Sequence, residues 1–321
     1  MQGETPLIIE VRCNESADRG DNPALPYGPQ EVVEELLLAR EAGASILHWH
    51  ARDYEGRERA DDVTLYREVI EGIREQTDDA LLHPTLGFIA TQGDAQGRVR
   101  HILELNQDPK TRIDMVPVDF GSFGADLWDE RDGLFLTDDQ FVVNRVAYLK
   151  ELLGVLKENG LYVYSVVWSA GAVRTARSLQ KMGLLNRTTF WCLGFTGEEV
   201  PGGPPPTPAN LSTFLEAIPS GDPWTVHCRN GDALPLAAWA ITQGGHVSIG
   251  LGDYPYSRFG KPRNSDLVGM VADMARTLGR PVATPDQARE VLRVDQLAGT
   301  ASPARARASS DGRTQGARHR G

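Results

Sequence analysis

The sequence predicts an α/β protein built as a closed (β/α)8 TIM barrel. Short β-like runs alternate with longer helix-like runs, which argues for a parallel sheet. Eight such units fit into about 280 of the 321 residues, the span of one barrel. No Gly-x-Gly-x-x-Gly follows the first strand, so a doubly wound dinucleotide-binding sheet would lack its phosphate-binding turn.

The elements follow in order. PLIIEVR (6–12) is strand 1, and GPQEVVEELLLAREAG (28–43) a helix with an early acidic turn and Gly43 at its end. ASILHWH (44–50) is strand 2, with DDVTLYREVIEGIREQ (61–76) as its helix. ALLHPT (80–85) is strand 3, before a helix near 95–105. IDMVPVDF (113–120) is strand 4, before a helix over 138–159. LYVYSVVW (161–168) precedes the helix AVRTARSLQKMG (172–183). TTFWCLGF (188–195) leads through a Pro/Gly loop to the helix ANLSTFLEAI (209–218). PWTVHC (223–228) precedes ALPLAAWAITQGG (233–245), and HVSIGL (246–251) precedes SDLVGMVADMARTLG (265–279). A last helix, TPDQAREVLRV (284–294), has Thr284 as N-cap, Pro285 at its first position and Asp286 in its first turn.

Composition narrows the function classes. A net charge of −11 argues against nucleic acid and anionic membrane surfaces. The three cysteines, Cys13, Cys192 and Cys228, are far apart and show no CxxC spacing, so neither a disulfide framework nor a thiolate zinc site is indicated. The start MQGETPLIIEVR lacks the basic and long apolar segments of a signal peptide, and no apolar run approaches the roughly 20 residues that span a bilayer. A reducing cytoplasm is the expected compartment. Residues 1–298 are expected to form the catalytic domain. Residues 299–321, rich in Ala, Arg, Gly and Ser, cannot bury enough surface to offset their ordering entropy and are expected to be a disordered tail.

Barrel enzymes place their active sites at the C-terminal ends of the strands. The polar residues there are Glu10 and Arg12 on strand 1, His48 and His50 on strand 2, and His83 and Thr85 on strand 3. Asp119 and Ser122 follow strand 4, His227 and Arg229 end strand 7, and Asp253 follows strand 8. Four of the seven histidines fall in this set, more than an even scatter would put there. Side chains alternate along a strand, so His48 and His50 share a face. Two such imidazoles can hold a metal, orient a substrate, or be hydrogen-bonded strand ends. A metal-bound histidine needs its second nitrogen oriented, and Arg52 or Asp53 stands close enough in sequence to help. Glu10 and Arg12 also share a face; charges inside a barrel are costly unless paired or functional, so a structural ion pair competes with a site role. His83 is held extended by Pro84 and serves as ligand, donor or packed polar group. His246 opens strand 8, at the far end of the barrel, where a structural role is expected.

Three stretches, NPALPYGPQEVVEE…AREAGASILHWHARDYEGR, ALPLAAWAITQGGHVSIGLGD and GRPVATPDQAREVL, resemble the β-keto acid cleavage enzyme family over about residues 6–295. That resemblance implies a TIM barrel, usually tetrameric, with one divalent zinc. It implies exchange between a β-keto acid and acetyl-CoA, giving acetoacetate and a new CoA thioester. It puts His48 and His50 as metal ligands, Asp253 as the catalytic aspartate, and Ser122 and Thr85 at the family's hydroxyl positions. Glu15 lies near the glutamate that follows strand 1. Two departures stand out. The family's GLED after strand 8 reads GLGD here, so Gly252 replaces a glutamate ligand. Its arginine before the LPLA helix falls on Gly231, leaving Arg229 as the nearest guanidinium.

The pattern suits acyl exchange. A divalent ion would stabilise an enolate, a carboxylate such as Asp253 would remove a proton, and Arg229 or Arg12 would hold the substrate carboxylate. Two histidines leave a zinc ion short of one protein ligand, for which Glu10, His83, His227, Glu15 and Asp253 are candidates. Two other readings stand beside this one: another metal-dependent C–C lyase or hydrolase on the same barrel, and a non-catalytic binding protein.

Overall fold

Eight parallel strands carry the chain in a computed structural model that describes residues 5–15, 17–87 and 94–294. The expected tail at 299–321 and the domain limit at 298 lie outside the described residues. The strands are β1 (Ile9–Arg12), β2 (Ile46–Trp49), β3 (Leu81–Pro84), β4 (Val116–Phe120), β5 (Val163–Val167), β6 (Phe190–Thr196), β7 (Trp224–Arg229) and β8 (His246–Ile249). They pair in the order β3-β2-β1-β8-β7-β6-β5-β4. Helices α1 (Gly28–Ala42), α2 (Val63–Arg74), α3 (Ala95–Leu105), α4 (Val146–Glu158), α5 (Ala170–Lys181), α6 (Pro208–Ala217), α7 (Leu234–Thr242) and α8 (Asn264–Thr277) follow the strands in turn. A ninth, α9 (Pro285–Leu292), ends the described chain. This is the (β/α)8 barrel expected from the sequence.

Alternation along the strands makes two cores. Ile9, Val11, Leu47 and Trp49 point outward and are buried against the helices. Ile8, Ile46, Leu81, Tyr164 and Phe190 fill the interior. Register then sets the interior layers. Arg12 lies beside His48, and His48 beside His83, so these three residues stand at one level near the C-terminal mouth.

Local chemistry fixes the helix starts. Asp62 accepts from Thr64 N, Ser169 from Ala172 N and Thr207 from Asn210 N, each satisfying an amide that the first turn leaves open. The expected cap of α9 forms as a reciprocal box between Thr284 and Gln287. His246 Nδ1 accepts from Ile8 N at 3.0 Å, the structural role expected of it.

The helix expected over 138–159 begins at Val146. Residues 121–145 instead make two short antiparallel pairs, Phe123–Gly124 with Phe141–Val142 and Trp128–Asp129 with Leu134–Phe135. Side chains hold this ribbon. Asp126 Oδ1 accepts from Gln140 N at 2.9 Å, and Ser122 Oγ accepts from Asn144 N at 2.9 Å. Short polar side chains of this kind compete with helical hydrogen bonding. Among the described residues, no helix is long and apolar enough to cross a membrane.

Closure between β3 and β4 depends on one carboxylate. Asp114 N and Met115 N donate to Leu82 O at 3.0 and 3.3 Å, and Leu82 N donates to Asp114 Oδ2 at 2.8 Å. Arg289 of α9 ion-pairs with Asp114 Oδ1 and reaches Ala80 O at 3.3 Å, tying the last helix across the seam. Breaking a buried pair leaves a charge uncompensated, at a cost of about 3 kcal/mol. Arg289→Ala is therefore expected to lower the melting temperature by several degrees in a thermal unfolding scan. An unchanged value would show that the seam closes without it.

Candidate active site

Strand β1 ends at Arg12, and the turn after it returns Glu15 to the barrel mouth. His48 and His50 come from the end of β2, and the loop behind β8 supplies Asp253. These residues line one cavity, together with Thr85, Asp119, Trp168, His227 and Arg229.

The protons can be placed from the partners. His48 Nδ1 lies 2.7 Å from His83 O, a carbonyl that can only accept, so Nδ1 carries the hydrogen. That leaves the Nε2 lone pair facing Glu15 Oε1 at 3.1 Å. Burial lowers the His48 pKa to about 4, Arg12 and His83 act in the same direction, and the Glu15 contact does not reverse them. Burial by itself would raise Glu15, but Arg12 and His48 outweigh it and hold the carboxyl well below its ordinary range. A neutral imidazole acceptor therefore faces an ionised carboxylate. Among the described residues, Nε2 of His48 has no hydrogen-bond donor facing it, and Oε1 of Glu15 is met by the Arg12 guanidinium.

His50 repeats the arrangement. Its Nδ1 donates to Glu58 Oε1 at 2.9 Å, which leaves Nε2 as an acceptor. One ligand atom each from Glu15, His48 and His50 lies within 4.8 Å of the other two. Two imidazoles and a carboxylate, with each ring held through its second nitrogen, form a donor set that suits a divalent transition ion with coordination to spare. The residues present thus fit such a group.

Glu10, His48 and His83 meet the same distance test. Glu10, however, already accepts from His83 Nδ1 at 2.5 Å, Tyr164 OH at 2.6 Å and Ser248 Oγ at 2.5 Å. Burial would raise its pKa, but His83 and then Arg12 bring it down to about 2. A carboxylate satisfied in this way is a structural anchor under the site. The Glu10–Arg12 pairing considered from sequence resolves into two partnerships, Glu10 with His83 and Arg12 with both Glu15 and Asp253.

Asp253 Oδ2 lies 2.8 Å from Arg12 Nε and 3.4 Å from His227 Nδ1. Burial raises its pKa, and Glu15 adds to this; Arg12 and His227 pull it down without cancelling the rise. Thr85 lines the cavity, and its Oγ1 accepts from Gly87 N at 3.0 Å. Arg229 lines it from the end of β7. Ser122 is placed differently: it is exposed, its Oγ accepts from Asn144 N, and it is absent from the cavity lining.

Gly252 acquires a physical reason. A Cβ there would stand 2.7 Å from Glu15 N and 2.8 Å from Glu15 Cγ, so Glu15 occupies the space a side chain at 252 would need. Sequence reasoning missed Glu58 and assigned its job to Arg52 or Asp53. Arg52 donates instead to Asn14 O and Ala17 O, and Asp53 pairs with Arg57 and Arg59. The turn at Gly56 (φ 84°) folds the chain back so that Arg59 N reaches Ala51 O, which brings Glu58 beneath His50. The Asp-Tyr-Glu-Gly turn was the available signal. Trp168 was also missed, although it closes the run of strand 5.

Residues 6–294 match the family described as beta-keto acid cleavage enzyme. A Fusobacterium nucleatum relative named 3-keto-5-aminohexanoate cleavage enzyme is 31% identical over 291 residues, covering 89% of this chain and 97% of its own. A Cupriavidus necator relative, 3-oxoadipate:acetyl-CoA acetyltransferase, is 28% identical over 300 residues, covering 89% and 94%. The solved structure of ObcA aligns with TM-score 0.67 at 15% identity, over 84% of this chain and 66% of that one, which is a likeness of fold.

Burial of neutral His48 and ionised Glu10 has a consequence for acid stability. Both folded pKa values, about 4 and about 2, lie below the ordinary values of 6.5 and 4.5. The unfolded chain therefore binds protons that the folded chain refuses, for His48 between about pH 6.5 and 4 and for Glu10 below about 4.5. In chelator, the melting temperature is expected to fall as pH is lowered from 7 to 4, and less steeply in His48→Asn. A flat or rising profile would contradict this assignment of charges.

Proposed function

The chain belongs to the beta-keto acid cleavage enzyme family, and we propose that it exchanges acyl groups between a β-keto acid and acetyl-CoA, giving acetoacetate and a new acyl-CoA. The observation that carries the reading is the trio of buried Glu15, buried His48 and half-buried His50 beside the buried Asp253 carboxylate, whose pKa burial raises. We assign the trio to zinc or another divalent ion. When bound, such an ion would polarise the substrate's keto oxygen as a Lewis acid.

The chain's own residues supply the rest. Asp253, raised in pKa and desolvated, takes a proton from the carbon between the two carbonyls. Arg12 keeps its charge and holds Asp253 in place through Nε. Arg229 holds the substrate carboxylate. Thr85, whose oxygen already accepts from Gly87 N, has its O–H left to donate to the developing oxyanion. Ser122 fastens the 121–145 ribbon through Asn144 and is given no chemical step.

The deprotonated carbon attacks the acetyl carbonyl; a C–C bond forms and the CoA thiolate leaves. The thiolate then attacks the original keto carbon, whose bond to the carboxylate-bearing carbon breaks. The resulting acetoacetate carbanion takes its proton back from Asp253, and the remaining acyl group leaves as its CoA thioester.

We also take the enzyme to be cytoplasmic and a homotetramer. Three buried free cysteines agree with a reducing compartment. Exposed Leu134, Phe135, Leu136, Phe141 and Val143 on the ribbon support self-association.

Acetoacetate formation from a panel of β-keto acids is expected to require acetyl-CoA and to cease on chelation. Asp253→Asn keeps the shape but loses the base, and should lower turnover by on the order of 100-fold. Cleavage that proceeds equally well without acetyl-CoA would move the protein to the lyase or hydrolase reading.

A further inference from the structure

We propose that the outer face of α5 binds the phosphates of coenzyme A, with Arg174, Arg177 and Lys181 as the cations that hold them. The proposal rests on the acyl-exchange reading above and adds to it a site for the nucleotide end of the co-substrate.

Charge on this helix departs from the rest of the chain, whose net charge is −11. Among the described α-helices, α5 is the one with cations and no carboxylate. Cations on other helices are answered: Arg40 pairs with Asp79, Arg67 with Glu104 and Arg276 with Asp273. Arg174, Arg177 and Lys181 follow one another at helical spacing, so they share one face and repel each other. Among the described residues none of the three joins an ion pair. Arg177 donates to Ala217 O at 3.0 Å and acts on Asp222 only from farther off. A row of like charges in an acidic protein is a cost to its helix that a bound anion removes.

The three cations line a groove of about 530 Å³ together with Gly171, Thr175 and Ser178. The hydroxyl hydrogens there are already used: Thr175 Oγ1 donates to Gly171 O at 3.2 Å, and Ser178 Oγ to Arg174 O at 3.0 Å. The groove therefore offers positive charge rather than neutral donors, and its lining has no aromatic ring on which a base could stack. That chemistry selects phosphate. Position selects coenzyme A. Helix α5 starts at Ala170, two residues after Trp168, which lines the active-site cavity. At about 1.5 Å per residue, the cations begin roughly 6 Å along the helix from that rim and extend about 10 Å further. The cavity itself, about 100 Å³, is too small for a nucleotide. The thioester end can enter it while the phosphates stay outside, on the basic face of the helix that leaves its rim.

The test follows acetoacetate formation by the zinc-loaded full chain with three thioesters: acetyl-CoA, acetyl-dephospho-CoA and S-acetylpantetheine. Wild type is compared with the double variants Arg174→Ala/Lys181→Ala and Arg174→Glu/Lys181→Glu, both at exposed positions. KM for acetyl-CoA is expected to rise about 10-fold in the alanine pair, as for two exposed charge contacts, and further in the glutamate pair. The rise should be smaller for the dephospho form and absent for S-acetylpantetheine. An unchanged KM for acetyl-CoA in both pairs, or an equal rise for S-acetylpantetheine, would overturn the proposal. Calorimetry with adenosine 3′,5′-bisphosphate judges the site apart from the reaction. Binding that weakens in the alanine pair and with added salt supports the proposal. Binding that is absent or unchanged, or inorganic phosphate held as tightly, overturns it. If no β-keto acid yields acetoacetate while the bisphosphate binds as expected, the acyl-exchange reading falls and the phosphate site stands.

Discussion

Two buried acceptors, Nε2 of His48 and Oε1 of Glu15, lie 3.1 Å apart with no hydrogen between them. Like ends of two polar groups do not stay together in a water-poor interior without a positive charge to share. Much of the mouth of the barrel is arranged around this contact. Arg12 supplies part of the positive charge, and a divalent ion would supply the remainder. The same guanidinium pairs with Asp253, so the carboxylate suited to bind metal and the carboxylate suited to move a proton are held by one cation. Their titration follows: Glu15 is pulled down and Asp253 is left raised.

The contact is held from below. Glu10 collects His83, Tyr164 and Ser248 into one buried network in the floor. The backbone of His83 in turn accepts from His48 Nδ1 and so decides which nitrogen of His48 faces the cavity. From the side, Glu58 decides the same for His50. A chain of hydrogen bonds therefore runs from the barrel interior to the metal-facing lone pairs, and loss of Glu10 would act on the site through the His48 tautomer.

The barrel was legible because strand and helix periods alternate in the sequence and because a parallel strand end is a predictable place for polar side chains. His48, His50, Thr85, Arg229 and Asp253 could be placed at one end of the molecule on that ground, and the structure brings them to one cavity. The partners of these residues were less visible. Glu58 reaches His50 only because a turn at Gly56 reverses the chain, and sequence spacing does not show which of several acidic residues the turn delivers. The role of Glu15 depends on the empty space at Gly252, a relation between two loops distant in sequence. Residues 138–145, the last part of the 121–145 ribbon, read as the start of a helix because the bonds that hold them in the ribbon are made by side chains whose partners lie up to 22 residues away.

Metal affinity of Glu15→Ala tests the central claim most directly. Wild type, Glu15→Ala, His48→Ala and Asp253→Asn would be stripped, dialysed against buffered zinc and analysed by mass spectrometry. The account predicts about one ion per chain in the wild type and in Asp253→Asn, and loss of roughly 100-fold or more in affinity for both Glu15→Ala and His48→Ala. Glu15→Ala binding zinc as tightly as the wild type would contradict it.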